Sequence, residues 1–257
     1  MLKLKPDSSN DVVFLLDVDN TLLDNDRFKA DLDERLLRDF GAAGRQRYWT
    51  VYESERARLG YADYLAALQA FREGLDDDPD LLQMSAFMLD YPFAQRLYPG
   101  ALATIANLHA LGTPVVLSDG DVVFQPRKVQ RSGVWDAVQG RVLIYLHKEH
   151  MLDAVQRRFP AQHYVMVDDK PKLLAAMKVV MGERLTTIFV RQGHYAAEAH
   201  GQAILPPPDL VIGQIGELAD FDLRAFGLDR FALRQLDQQH PVITASPSAS
   251  NSQEPSP

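Results

Sequence analysis

Three apolar runs in this chain end on side chains that can do chemistry. "VVFLLDVDNTLLDND", residues 12–26, passes from five apolar residues into Asp17 and Asp19, with Thr21 two further on. "PVVLSDG" delivers Ser118, Asp119 and Gly120, and "YVMVDDK" delivers Asp168 and Asp169. If the three runs are neighbouring parallel strands, their carboxyl ends share one sheet edge, which is where open α/β folds bind ligands. The carboxylates of Asp17, Asp19, Asp168 and Asp169 then crowd one spot. At ~4 Å and an effective dielectric of ~20, each pair repels by about 4 kcal/mol. Such a cluster requires a cation. Oxygen-only ligands suit Mg²⁺, which takes one or two carboxylates, keeps several waters and accepts a phosphate oxygen. Lys148, at the start of the helix before the Asp168–Asp169 strand, offers a second positive charge. Mg²⁺ and one lysine leave the four carboxylates at a net −1. Protonating one aspartate brings the site to neutrality, admits a phosphoryl group and supplies a general acid.

Each feature alone has a blander explanation. A DxD after a strand is common, and a DD at a strand end is more often a turn or a helix N-cap. A serine after an apolar run is usually a loop residue, and a single lysine usually lies on the surface. The ordered set DxDxT, Ser, Lys and DD, with strands before three of its members, is what points to a site.

The elements that must position these residues follow from patterning. Val12–Leu16, Pro114–Leu117, Val142–Tyr145, Tyr164–Val167, Thr186–Val190 and Leu210–Ile212 are short apolar runs, most too continuous for a sheet with one wet face. Helical segments alternate with them. "PGALATIANLHALG" carries an apolar stripe of Leu102, Ile105, Leu108 and Leu111, and "KEHMLDAVQRRF" and "KPKLLAAMKVVMG" follow the same logic. The alternation predicts a Rossmann-like, doubly wound parallel sheet in three α/β/α layers. Residues 24–97 contain no convincing strand. Phe28, Leu32, Leu36 and Phe40 predict an amphipathic helix stopping at Gly41, and Tyr61, Leu65 and Leu68 a second one. "DDDPD" at 76–80 is a break. The expected organisation is an α/β core from 1–23 and 98–240, an inserted helical cap at 24–97, and a disordered Ser/Pro-rich tail at 241–257.

Composition narrows the class. The 257 residues are 46% apolar and 24% charged, with a net charge of −8 and no cysteine. Acidity argues against a broad nucleic-acid or anionic-membrane surface, and the lack of cysteine excludes a disulfide frame or zinc–thiolate site. "MLKLKPDSSN" has no apolar stretch of the signal-peptide kind, and no apolar run reaches the ~18 residues of a membrane span. A cytoplasmic protein is expected.

The four motifs resemble those of the haloacid dehalogenase-like superfamily, most of whose members are Mg²⁺-dependent phosphohydrolases. "FLLDVDNTLL" is similar to the first motif, which implies Asp17 as nucleophile and Asp19 as acid and base. "VVLSDG" is similar to the second, with Ser118 on a phosphate oxygen. Lys148 stands for the third, and "VMVDDK" for the fourth, with Asp169 on the metal and Asp168 beside it. "LYPGALATIANLHALG" resembles the segment leading into the second motif, and the helical insert resembles the family's C1 cap. The third motif usually reads Lys-Pro, whereas here it reads "HKEH". Lys148 is preferred over Lys128, in "QPRKVQ", because it lies some 20 residues before Asp168 rather than 40. Family members that release halide typically lack the second aspartate, so Asp19 favours phosphoryl transfer.

The resemblance thus implies a small-molecule phosphohydrolase. Asp17, Asp19, Ser118 and Lys148 would be catalytic, with Thr21, Asp119 and Gly120 about the phosphate. Mg²⁺ would be held at Asp17, Asp19 (through its carbonyl), Asp168 and Asp169. A phosphomutase, a haloacid dehalogenase or a non-catalytic protein of the same fold are the alternatives. A signalling receiver domain does not fit, because its acidic pair comes in the first strand and its lysine in the last. In the insert, Arg45, Arg47, Tyr48 and Trp49 could meet substrate, although a solvated helix with aromatic packing is the ordinary reading. His147 and His150 stand at i and i+3 with no third histidine nearby, which suits a helix start. Gly213 and Gly216 do not form a dinucleotide loop.

Overall fold

The computed structural model describes residues 10–75, 77–199 and 203–220. The expected tail at 241–257, and the ends of the expected core at 1–9 and 221–240, lie outside the described residues. Six parallel strands form one sheet: β1 (Asn10–Leu16), β2 (Thr113–Asp119), β3 (Val142–Tyr145), β4 (Ala161–Asp168), β5 (Leu185–Val190) and β6 (Leu210–Ile212), in the order β3-β2-β1-β4-β5-β6. All six predicted runs are strands. The four central ones are almost wholly buried, as continuous apolar runs covered on both faces must be, whereas β3 and β6 are half-buried edges. Leu16 pairs with Val116 on one side and with Val167 on the other, so β1, β2 and β4 finish along one edge of the sheet, β2 running three residues and β4 one residue past Leu16. The strand order reverses between β1 and β4, and the crevice that reversal opens is the usual ligand site.

The helices are α1 (Asn25–Leu59), α2 (Tyr64–Phe71), α3 (Asp80–Asp90), α4 (Ala101–Leu108), α5 (Phe124–Arg131), α6 (Val134–Ala137), α7 (Leu152–Arg158), α8 (Pro171–Met181) and α9 (Gly193–Glu198). Among the described residues, no strand stands between β1 and β2: helices and turns join them, with isolated bridges from Leu23 to Asp19 and to Leu97. The helix expected to stop at Gly41 does leave helical geometry there (φ 67°, ψ −177°), and a second helix follows directly, so α1 is two helical segments meeting at a kink. Phe28, Leu32 and Leu36 are its buried face, as predicted. Two stripes were misphased. In α2 the buried face is Tyr64, Ala67, Leu68 and Phe71, not Tyr61 and Leu65, and in α4 Leu102 faces solvent while Thr104 is buried. Lys148 stands not in a long helix but in a single 3₁₀ turn, Lys148–His150, ahead of α7.

An aromatic cluster ties the insert to the sheet side. Phe28 of α1 packs on Tyr64, Tyr91, Phe93 and Phe124 with ring centroids 5.0–5.5 Å apart. No helix among the described residues is long and apolar enough to cross a membrane.

Candidate active site

Asp17 follows β1 directly, and its amide continues the ladder by donating to the Val167 carbonyl at 3.0 Å. That bond sets Asp17 beside the end of β4, so Asp17, Asp168 and Asp169 converge. All three are buried, and one carboxylate oxygen from each lies within 4.8 Å of the others. Lys148 closes the group: its Nζ, wholly buried, is 2.5 Å from Asp17 Oδ1 and 2.6 Å from Asp168 Oδ2, and it donates to the Leu117 carbonyl at 3.3 Å. Asp168 also accepts from the Lys170 amide at 2.8 Å. Asp17 Oδ2 and both oxygens of Asp169 are buried without a hydrogen-bond partner. Orphan carboxylate oxygens of this kind are costly and suit an oxygen-coordinated cation.

The electrostatics carry the same message. Burial, then Asp168 and Asp17, pushes the Asp169 carboxyl up to about 9. Burial raises Asp168 and Asp119 as well, against the pull of Lys148. Burial alone would lower Lys148, but Asp168, Asp17 and Asp119 hold it well above its ordinary value. Lys170 behaves likewise: Asp17 and Asp168 outweigh its desolvation. Its ammonium also lies 5.3 Å over the Tyr195 ring.

Asp19 is turned differently from its expected place in the carboxylate cluster. Its Oδ1 accepts from Lys128 Nζ at 2.7 Å and its Oδ2 from Gln125 Nε2 at 3.2 Å, so the side chain faces α5 and not the other three aspartates. Ser118 is buried at the end of β2, and its Oγ accepts from the same Gln125 amide at 3.0 Å. Asp119 accepts from the Lys148 amide at 2.8 Å, anchoring the turn that carries the lysine. The Gly120 amide, expected to face a phosphate, donates instead to the Tyr145 carbonyl at 2.9 Å. What Gly120 contributes is space: with φ 150°, a Cβ there would stand 2.8 Å from the Gln125 side chain. Thr21 is wholly buried, its Oγ1 unpartnered. Its amide and those of Leu22 and Leu23 converge on the Val18 carbonyl, which shapes the loop after Asp17.

A family model for the haloacid dehalogenase-like hydrolases matches residues 12–180. A haloacid dehalogenase-like hydrolase of known structure from Burkholderia xenovorans is 57% identical, over 82% of this chain and 99% of that one, with a TM-score of 0.76. This chain belongs to the haloacid dehalogenase-like hydrolases. More distant structures share the fold. HAD-hydrolase YfnB of Bacillus subtilis, in a magnesium-bound form, is 15% identical over 82% and 97% of the two chains (TM-score 0.54). L-2-haloacid dehalogenase of Xanthobacter autotrophicus is 18% identical over 81% and 96% (TM-score 0.52). No curated protein matches the chain.

Three side chains of this hydrolase's site escaped sequence reasoning in their observed roles. Lys170 directly follows the DD pair, a position that could have been counted. Lys128 enters the sequence reading only as a rival to Lys148, yet the two lysines serve different aspartates. Gln125 gave no signal beyond standing three residues before Lys128. The candidates in the insert have partners there: Tyr48 donates to the Tyr64 carbonyl (3.1 Å), Trp49 and Arg45 reach Asp33 (2.7 and 3.4 Å), and Arg47 donates to the Glu73 carbonyl. His147 and His150 are exposed, with rings 5.7 Å apart, and belong to no three-ligand group among the described residues.

Proposed function

We propose that this hydrolase is a Mg²⁺-dependent phosphatase of small phosphorylated metabolites that works through an aspartyl-phosphate. The observation that carries the reading is the set of partnerless buried oxygens on Asp17 and Asp169, held in one cluster beside Lys148. Five carboxylates (Asp17, Asp19, Asp119, Asp168 and Asp169) face three ammonium groups (Lys128, Lys148 and Lys170), a deficit of two positive charges that one divalent ion makes good. Asp17, Asp169 and the carbonyl of Asp19 would hold it. When bound, Mg²⁺ would polarise the phosphoryl oxygens and offset their charge.

The remaining work belongs to the chain. Lys148 fixes Asp17 through Oδ1, and the Asp17 carboxylate attacks phosphorus in line as the ester oxygen departs. Asp19 gives that oxygen a proton, then takes one from the water that cleaves the aspartyl-phosphate. Ser118 Oγ and Lys148 counter the charge on the phosphoryl oxygens. A halide leaves without a proton, whereas an alkoxide needs one, so an acid at position 19 favours ester hydrolysis over dehalogenation. The helices of residues 24–97 would act as a cap that shields the site and selects the leaving group. A panel of phosphorylated metabolites, assayed with Mg²⁺ and with chelator, tests this. Metal-dependent phosphate release from at least one ester is expected. Inertness towards every ester, with halide release from a 2-haloacid, refutes it.

A further inference from the structure

Lys128 is the least expected charge in the molecule. It stands on α5, 1% exposed, with its ammonium 5.3–5.9 Å from the ring centroids of Phe28, Phe93 and Phe124. An ammonium carried out of water is costly unless paired and hydrogen-bonded. Here three ring faces surround it, and it donates to Asp19 Oδ1 (2.7 Å) and Asn25 Oδ1 (3.0 Å). Three residues earlier, on the same face of α5, Gln125 holds the other oxygen of Asp19. Both carboxylate oxygens are therefore gripped by one helix, and the grip extends through Gln125 to Ser118. None of these hydrogen bonds is to Asp17, Asp168 or Asp169.

We infer that Lys128, with Gln125, is the positioning residue for Asp19: it fixes the carboxylate so that Oδ2, the oxygen on the Ser118 side, carries the transferable proton. Oδ1 accepts from the charged Lys128 ammonium at 2.7 Å, which disfavours a proton there, whereas Oδ2 accepts only from the neutral Gln125 amide at 3.2 Å and keeps a lone pair for the proton. In the first half-reaction the Oδ2–H bond breaks as an H–O bond forms on the leaving oxygen, which keeps the electron pair of its broken P–O bond. In the second, Oδ2 takes a proton from water as the water oxygen bonds to phosphorus and the Asp17–phosphorus bond breaks. The grip also links the insert to the chemistry, because Asn25 and Phe28 lie on α1. With Lys128 replaced, Asp19 is free to turn away while Asp17, Lys148 and the carboxylate cluster remain intact.

This inference rests on the phosphatase reading, and the test separates the two. Lys128→Met and Lys128→Arg are compared with wild type on an alkyl phosphate, whose leaving oxygen needs a proton, and on p-nitrophenyl phosphate, whose leaving group does not. Phosphorylation of Asp17 is followed in single turnovers. K128M is expected to lose about 10²-fold on the alkyl ester and less than about tenfold on the aryl ester, the split expected of a general-acid defect. K128R is expected to restore most of the alkyl-ester rate. Equal losses on both esters overturn the inference. If K128M does not fold, Gln125→Leu is measured in the same way, with the same two outcomes. If wild type hydrolyses no phosphoester, the phosphatase reading fails by itself and a crystal structure of K128M decides the positioning role. Asp19 swung away from Gln125 and Ser118 supports it, and Asp19 unmoved overturns it.

Discussion

Replacing Asp169 with asparagine should stabilise the metal-free protein while abolishing its use of metal. Asp169 has no partner for either oxygen, and its carboxyl lies near 9 against an unfolded value of about 3.9. Between those values the native state binds one proton more than the unfolded chain. The sign follows: stability in chelator falls as pH rises, by roughly 1 kcal/mol per pH unit, or on the order of 2–3 kcal/mol from pH 6 to 8. Coulomb's law gives a compatible size. At the cluster's 4.8 Å limit, an ionised Asp169 repels each neighbouring carboxylate by roughly 3.5 kcal/mol at a dielectric of 20, partly offset by Lys148 and Lys170. The amide introduced by Asp169→Asn carries no charge, so the D169N protein should lack this slope and exceed wild type by about 1–3 kcal/mol at pH 8 in chelator. Saturating Mg²⁺ should reverse the order by flattening the wild-type slope and stabilising only the wild type. Urea denaturation at pH 6, 7 and 8, with and without Mg²⁺, measures all of this. Parallel slopes for the two proteins in chelator would refute the claim that the cluster is an uncompensated charge awaiting a cation.

Three further outcomes are expected. Asp17→Asn should retain the fold, shown by an unchanged circular dichroism spectrum, and lose on the order of 10³-fold or more in turnover, because the nucleophile is gone; wild-type rates would contradict its role. Gly193→Ala should cost about 1–3 kcal/mol in urea melts, since Gly193 sits at φ +66° and a Cβ would stand 2.4 Å from Asn20, which caps the start of α1 through the amides of Asn25 and Asp26. An unchanged midpoint would show that the loop gives way freely. Burial alone would raise Asp209, but the Thr187 amide, Lys178 and the Thr187 hydroxyl hold it below its ordinary value. Its stabilisation should therefore be complete above the usual carboxylate range and lost on acidification through the lowered value. Thermal melts from pH 6 to 3 should fall more steeply for wild type than for Asp209→Asn, and equal slopes would dismiss the interaction.

The sheet was legible because buried parallel strands have no choice of composition: both faces of β1, β2, β4 and β5 are covered, so nearly every residue is apolar and the runs announce themselves. Helix faces were less legible. An eight-residue helix gives its periodicity only two turns, and a shift of one residue exchanges Leu65 for Tyr64 or hides the exposure of Leu102. The carboxylates were legible because each ends a strand, and strand ends are places a sheet aligns. Lys148 was legible by its spacing from Asp168, but Lys128 and Lys170 were not in their observed roles, since a lysine in a linear sequence defaults to solvent, and its Nζ reaches several ångströms across elements whose crossing only the fold determines. Counting Lys148 alone against four aspartates required one of them to be protonated before Mg²⁺ could balance the site. Lys128 and Lys170 change that account. With three ammonium groups facing five carboxylates, a single divalent ion balances the site without any protonated aspartate, and the proton that Asp19 needs for the first step leaves the site at +1, ready for an anionic phosphoryl group. The proton it donates is then one it has gained in the cycle, and Lys128 decides which oxygen holds it.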